Sequence, residues 1–158
     1  MELLYPDRPL NFAHRGASYE APANTLAAFL LACELGADGI ELDVHLSSDG
    51  EVVVIHDFDV EATTDGQGRV RDKTLAELKA LDAGGWFDPT FAGQRIPTLQ
   101  EVIDAIGHHL LLNVELKTDN LRDDGLPAAV VQILEENPRH IVVIVLTCVY
   151  QHLTKRPP

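Results

Sequence analysis

The sequence predicts an α/β fold built on a largely parallel β-sheet. Apolar, β-branched segments with the composition of strands alternate with segments of helical spacing. The strand candidate at residues 141–146 is apolar throughout, which is typical of a strand buried on both faces. With 158 residues, 46% of them hydrophobic and 23% charged, the chain is long enough for one domain with a core of its own.

The predicted elements follow the order β-α-β-β, an irregular stretch, and then α-β-α-β. Capping residues mark the helix ends: Asn24 or Thr25 caps the start of the first helix, Gly36 ends it, and Thr98 with Glu101 has the spacing of a capping box. Strands are predicted at residues 10–13, 39–46, 52–55, 110–116 and 141–146, and helices at residues 24–35, 74–81, 98–106 and 126–136.

Residues 57–97 interrupt this alternation. The stretch contains five glycines, two prolines and one short helix candidate at residues 74–81. It is too long for an ordinary loop, so we predict an inserted segment with a small structure of its own, placed over a site. Trp86 and Phe87 within it either contact the alcohol part of a substrate or pack the insertion.

Charge and cysteine content argue against several classes of protein. Twelve basic and 25 acidic residues give a net charge of −13, which argues against a nucleic-acid or anionic-membrane partner. Two cysteines, Cys33 and Cys148, form no disulfide framework, which favours a reducing compartment and predicts a cytoplasmic location. No signal peptide is evident, and the longest apolar run, residues 141–149, is too short to span a bilayer.

Polar side chains, most of them charged or imidazole groups, collect at the ends of the first four predicted strands. Ligands of parallel α/β folds bind at the carboxyl ends of the strands, so we expect these side chains to form one site. They are His14 and Arg15 after the first strand, Glu41, Asp43 and His45 on one face of the second, His56 and Asp57 after the third, and Asn113, Glu115 and Lys117 on one face of the fourth.

Three of these side chains are carboxylates: Glu41, Asp43 and Glu115. Together inside a folded core they would be very costly without a positive partner, which predicts a bound cation. Ligands that are all oxygen favour Mg²⁺ or Ca²⁺ over zinc. Arg15 and Lys117, in the same neighbourhood, would complete a site for a phosphate group.

His14 and His56 are the candidate acid–base catalysts. Because an imidazole titrates near neutral pH, one histidine can deprotonate a nucleophile while the other protonates a leaving alkoxide. The reaction class indicated is metal-assisted cleavage of a phosphodiester. His45 is either a third imidazole of the site or, as we favour, a polar residue at the strand end, and Asp57 is a candidate for a supporting role.

Several motifs between residues 12 and 119 together resemble one enzyme family. They are HRG at 14–16, PANT at 22–25, GIELDV at 39–44, VIHD at 54–57 and VELK at 114–117. In this order and at these separations they are similar to the glycerophosphodiester phosphodiesterase family. The resemblance implies a TIM-barrel (β/α)8-type fold. It also implies hydrolysis of glycerophosphodiesters to glycerol 3-phosphate and an alcohol, within lipid and glycerol metabolism.

The resemblance also implies roles for individual residues. The family mechanism runs through a cyclic phosphate, with the glycerol 2-hydroxyl as an internal nucleophile of high effective concentration. The chain departs from the family at Ala23, where glutamate is common, and near Ala62, where a basic residue is common. The implied roles are a divalent-cation site (Ca²⁺ or Mg²⁺) at Glu41, Asp43 and Glu115, an acid–base pair at His14 and His56, and phosphate binding by Arg15 and Lys117.

The length of the chain bears on how much of a barrel it can form. A (β/α)8 barrel takes about 250 residues, so we expect a C-terminally truncated member with about five strands. This gives one partial-barrel domain over residues 1–158, with residues 57–97 as the inserted segment and residues 147–158 as an atypical tail. Exposed sheet edges would favour self-association.

Three functional hypotheses follow. The first is a metal-dependent phosphodiesterase that acts on a small-molecule glycerophosphodiester. The second is a truncated, non-catalytic remnant that binds a cation or phosphate, or is unstable alone. The third, a metal-free reaction with a histidine as covalent nucleophile, ranks last because it leaves three carboxylates without a partner.

Overall fold

The computed structural model describes residues 8–106, 109–118, 125–138 and 142–148, and of the last range the backbone alone. Among these residues no helix is both long and apolar enough to cross a membrane. The order of elements agrees with the predicted one. They are β1 (Phe12–His14), α1 (Leu26–Glu34), β2 (Gly39–Leu46), β3 (Val52–Val54), α2 (Leu75–Ala80), α3 (Leu99–Ile106), β4 (Leu111–Thr118), α4 (Leu126–Glu136) and β5 (Val142–Cys148), with 3₁₀ turns at Val70–Asp72 and Pro89–Phe91.

Four parallel strands form the body of the sheet, in the order β1-β2-β4-β5. The register of the strands sets the level of each polar side chain along the sheet. His14 is paired with Glu41, Glu41 with Asn113, and Asp43 with Glu115. The charged residues predicted to meet therefore lie side by side on adjacent strands.

The third strand corrects one expectation about how His56 is delivered. β3 is antiparallel to β2, with Val54 opposite Val44, so His56 does not follow the carboxyl end of a parallel strand. Instead the hairpin returns along β2, where the Ile55 amide donates to the Asp43 carbonyl over 3.0 Å, and this brings His56 back toward the level of Asp43. The connection at residues 47–51 is too short for the crossover that parallel strands require.

The two faces of β2 have different partners. Ile40, Leu42 and Val44 are fully buried in the main core, where they pack with residues of α1, α3 and α4. Because side chains alternate along a strand, Glu41 and Asp43 lie on the opposite face. That face is the inner side of the predicted barrel.

The segment from residue 57 to 97 has a small core of its own. Seven buried residues from β3, from its continuation and from the segment pack together, with α2 contributing Leu78. The segment is thereby anchored beside the carboxyl ends of the parallel strands. The members of this second core are Val53, Ile55, Val60, Val70, Leu78, Ala83 and Ile96.

Helix starts follow the predicted capping signals. The Thr25 hydroxyl accepts the Ala28 amide at the start of α1, so Thr25 and not Asn24 is the cap. At the start of α3 the Glu101 amide donates to Thr98 Oγ1 over 3.1 Å and the Thr98 amide donates to Glu101 Oε2 over 2.8 Å, which is the predicted capping box. Asn24 is thus left without a role in the helix.

Candidate active site

Three carboxylates converge at the carboxyl edge of β2 and β4. Glu41, Asp43 and Glu115 each offer an oxygen atom, and these atoms all lie within 4.8 Å of one another. Asp43 is completely buried and Glu41 nearly so. The structure therefore brings together the three residues predicted to bind a cation.

Two protein cations share this cluster. Lys117 Nζ lies 2.6 Å from Glu115 Oε1 and 2.9 Å from Asp43 Oδ1, and Arg15 Nε lies 3.2 Å from Asp43 Oδ2. The chain therefore supplies part of the neutralising positive charge itself. Three carboxylates and two cations leave the cluster with one net negative charge.

Burial acts differently on the acids and the base. Burial raises the pKa of Glu41, and the neighbouring charge of Asp43 adds to the effect. For Lys117 burial acts to lower the pKa, but the close carboxylates of Glu115 and Asp43 outweigh it, and the pKa is raised. Lys117 is therefore charged, and Glu41 is a carboxylate that would gain from additional positive charge.

The two candidate catalytic histidines lie toward solvent. The His14 side chain is 66% exposed, and its Nε2 lies 3.7 Å from Glu41 Oε2. His56 is about one-third exposed, and its Nδ1 lies 2.6 Å from Asp57 Oδ1. Asp57, the candidate for a supporting role, thus contacts His56 directly.

His45 is placed differently from these two histidines. It is buried, its Nε2 lies 3.1 Å from the His56 carbonyl oxygen, and its ring meets the edge of Phe58 at 5.0 Å between centroids. Burial lowers the pKa of His45, which favours a neutral ring. His45 therefore holds the backbone of His56 by a hydrogen bond made from the buried side of the site.

The loop between β1 and α1 is held tightly against β2. The Arg15 amide donates both to the Glu41 carbonyl (2.9 Å) and to Glu41 Oε2 (3.1 Å). A Cβ atom at Gly16 would lie 2.7 Å from the backbone of Ala28, so only glycine allows this approach to α1. Arg15 and Asn24 both adopt positive φ, at 57° and 59°, a strained conformation that is concentrated at functional sites.

Asn24 is a site residue that sequence reasoning missed. It is 5% exposed, and its Nδ2 donates to Asp43 Oδ2 over 2.9 Å. The available signal was that Asn24 and Thr25 competed for one capping position, so one of the two had to serve another purpose.

A recess of about 40 Å³ opens between the β1–α1 loop and the inserted segment. Trp86 and Phe87 are not among its lining residues; they pack edge to face at 5.7 Å, and Trp86 Nε1 donates to the Ala83 carbonyl. The two aromatic residues therefore contact each other within the inserted segment, and Trp86 remains 45% exposed. The recess is lined on its polar side by Arg15, Asn24, His56 and Asp57 and on its apolar side by residues that include Ala23 and Ile96.

Parallel strands linked by helices, with acidic and imidazole groups at their carboxyl edge, define an α/β protein whose site lies at the carboxyl ends of the strands. Comparison with known proteins narrows the class. Residues 14–150 match the model of the Glycerophosphoryl diester phosphodiesterase family. The chain belongs to this family, as the motifs indicated.

Individual relatives support this family assignment. The chain is 51% identical over 130 residues to a glycerophosphodiester phosphodiesterase of Caldanaerobacter subterraneus subsp. tengcongensis, covering 82% of this chain and 54% of that protein. A phosphodiesterase from Oleispira antarctica, solved in complex with the product sn-glycerol-3-phosphate, superposes with a TM-score of 0.83 at 40% identity over 87% of this chain and 57% of that one. A glycerophosphodiester phosphodiesterase from Agrobacterium tumefaciens superposes with a TM-score of 0.81 at 36% identity over 88% and 58%.

These relatives also bear on the extent of the barrel. The chain spans about half the length of the curated relatives it matches. The described residues form a five-stranded sheet, four strands of it parallel. The predicted TIM-barrel type, present here as a partial barrel, is confirmed.

Proposed function

We propose that this protein hydrolyses small-molecule glycerophosphodiesters to glycerol 3-phosphate and an alcohol, with help from a divalent cation. The observation that carries the proposal is the convergence of Glu41, Asp43 and Glu115 within 4.8 Å, in contact with Lys117 and Arg15. A cytoplasmic location stays a prediction from the cysteine content.

The residues present fit a hard cation. Their donor set is all oxygen, which suits Ca²⁺ or Mg²⁺. Asp43 Oδ1 is buried without a hydrogen bond of suitable angle, although Lys117 Nζ lies 2.9 Å away, so it is an acceptor that a cation would satisfy. Glu41, Asp43 and Glu115 would hold the cation, which when bound would polarise a phosphoryl oxygen and offset developing negative charge.

The charge of the cluster supports a phosphate substrate. With one net negative charge from its own side chains, the cluster repels a phosphodiester anion. A divalent ion held by the three carboxylates would change the balance to one net positive charge. Arg15 and Lys117, both in contact with the carboxylates, are then placed to hold the phosphate oxygens.

The contacts of the two histidines support opposite roles in proton transfer. If His56 donates its Nδ1 proton to Asp57, its Nε2 carries the lone pair, so we assign His56 as the base that removes the proton of the glycerol 2-hydroxyl. The hydroxyl oxygen then forms a bond to phosphorus as the bond to the alcohol breaks, and His14 gives the leaving oxygen a proton. In the second step His14 takes a proton from water, the water oxygen bonds to phosphorus as the bond from phosphorus to the glycerol 2-oxygen breaks, and His56 returns a proton to that oxygen.

Release of glycerol 3-phosphate from glycerophosphocholine tests this function. We expect turnover with added Ca²⁺ or Mg²⁺, and its loss on chelation. Binding of the cation with no turnover under any of these conditions would favour the alternative, a remnant that binds cation or phosphate without catalysis. Turnover that is unchanged by chelator would overturn the role of the cation.

A further inference from the structure

Asn24 directs both ends of its side-chain amide at one residue of β2. Nδ2 donates to Asp43 Oδ2 over 2.9 Å, and Oδ1 accepts a long hydrogen bond of 3.5 Å from the Asp43 amide. Asn24 is 5% exposed, so these contacts are shielded from water.

These contacts leave the two oxygens of Asp43 with different surroundings. Oδ2 takes the Asn24 amide and lies 3.2 Å from Arg15 Nε, whereas Oδ1 lies 2.9 Å from Lys117 Nζ, the ammonium that also contacts Glu115. A carboxylate without fixed donors could rotate and exchange its two oxygens. Donors fixed on one side prevent this exchange and keep Oδ1 on the Glu115 side.

We propose that Asn24 is a positioning residue for Asp43, holding Oδ2 so that Oδ1 is presented to a divalent cation. The inference rests on the proposed function, because it requires that Asp43 is a cation ligand. Partners that orient a metal ligand commonly change metal affinity by about 10- to 100-fold when they are removed.

The local backbone explains why asparagine suits this position. Asn24 has a φ of 59°, which asparagine tolerates better than most residues, and its amide donates to the Arg15 carbonyl over 3.0 Å. This bond joins two left-handed residues whose side chains both contact Asp43. The next residue, Thr25, turns its hydroxyl the other way and caps α1. Asn24 thus contacts the carboxylate cluster, while the adjacent Thr25 caps the helix.

The test is calorimetric titration of the substrate-free full chain with Ca²⁺ and, separately, with Mg²⁺. Asn24→Gly removes the amide while keeping a residue that accepts positive φ. We expect its cation affinity to fall about 10-fold or more. In the activity assay the cation concentration for half-maximal rate should rise by a similar factor, with the KM for substrate unchanged at saturating cation.

The matched control is Thr25→Ala, which loses the helix cap in the same loop, because the Thr25 hydroxyl bonds the Pro22 carbonyl and the Ala28 amide and not Asp43. We expect it to melt at a lower temperature and to bind the cation within about twofold of the parent. Asn24→Ser is measured alongside, because its hydroxyl is too short to reach Asp43 and it should lose affinity as Asn24→Gly does. Circular dichroism establishes which variants are folded. The cation affinity of either folded Asn24 variant is then enough to test the inference.

Three results would overturn the inference. If a folded Asn24 variant binds the cation as tightly as the parent, Asn24 does not position Asp43, and the proposed function is untouched. If Thr25→Ala weakens binding as much as Asn24→Gly, the effect belongs to loop stability. If the parent itself binds neither cation, the proposed cation site fails and this inference fails with it.

Discussion

Lys117 and Asp43 form a buried ion pair across two adjacent strands, with 2.9 Å between Nζ and Oδ1 and side chains only 8% and 1% exposed. The same ammonium contacts Glu115 Oε1 at 2.6 Å. Lys117 thus serves as an internal counter-ion for two carboxylates that are candidate ligands of a divalent cation. The Lys117 ammonium and a bound cation would therefore compete for the carboxylate oxygens of Asp43 and Glu115.

We predict that Lys117→Met makes the cation-free protein less stable by about 3 kcal/mol, because loss of one member of a buried pair leaves the other charges uncompensated. Added Ca²⁺ should restore stability to the variant more than to the parent, since the competing ammonium is gone. Denaturant unfolding with Ca²⁺ and with chelator measures both effects.

Lys79→Met is the matched control for this variant. Lys79 pairs with Glu101 at the surface, where an ion pair contributes less than about 1 kcal/mol. If Lys117→Met costs no more than Lys79→Met in the presence of chelator, the internal counter-ion argument is wrong.

Glu41 allows a prediction about pH. Because burial raises its pKa in the folded protein, the folded state binds a proton more readily than the unfolded chain does. Glu41 therefore costs no stability below the unfolded pKa of about 4.5, and stability is lost as the pH rises through the folded pKa. Glu41→Gln should raise the melting temperature of the cation-free protein at pH 7, and the gain should disappear near pH 4.

The same variant should bind Ca²⁺ and Mg²⁺ more weakly, because a carboxylate ligand is replaced by a neutral amide. Glu51→Gln, at an exposed carboxylate outside the cluster, should change neither the melting temperature nor the cation affinity. A Glu41→Gln protein that melts below the parent at pH 7 with chelator present would contradict the prediction.

Substitution of either catalytic histidine should lower the rate much more than it lowers cation affinity. We predict that His14→Ala and His56→Ala each lower kcat by about 100-fold or more, the usual effect of removing a general acid or base. Cation affinity should change less than kcat, because neither imidazole is among the predicted ligands Glu41, Asp43 and Glu115. Rates of glycerol 3-phosphate release and calorimetric titrations check the two statements.

His109→Ala is the comparison for these variants. His109 is exposed and lies just before β4, at the opposite end of the strand from Lys117, so its removal should leave the rate unchanged. If His14→Ala and His56→Ala hydrolyse substrate like His109→Ala, the assigned acid–base roles are wrong.

Local signals in the sequence were enough to predict the elements and the converging carboxylates. The period-2 alternation of Glu41 and Asp43 placed both on one face, and the parallel register then brought Glu115 beside them. The alternation of side chains in β3 carries no information about strand direction. The short turn at residues 47–51 does indicate an antiparallel strand, because a parallel one would need a longer crossover. The contact of Asn24 with Asp43 depends on a left-handed backbone that no local pattern marks.

The outer edges of the sheet lead to a prediction about association. Among the described residues β1 pairs with β2 alone and β5 with β4 alone, so each has one side without a partner strand. Unpaired strand edges favour pairing with another copy. We predict that the 158-residue chain, expressed by itself, forms dimers or larger species at micromolar concentration.

Light scattering over a hundredfold range of concentration measures this association. The net charge of −13 opposes contact between copies, and salt screens that repulsion, so association should be stronger at 0.5 M than at 0.05 M NaCl. Association driven by ion pairs would show the opposite salt dependence. A constant mass of 17.3 kDa at every concentration and both salt levels would mean that the edges are protected. Edge pairing would then have no part in the behaviour of this chain.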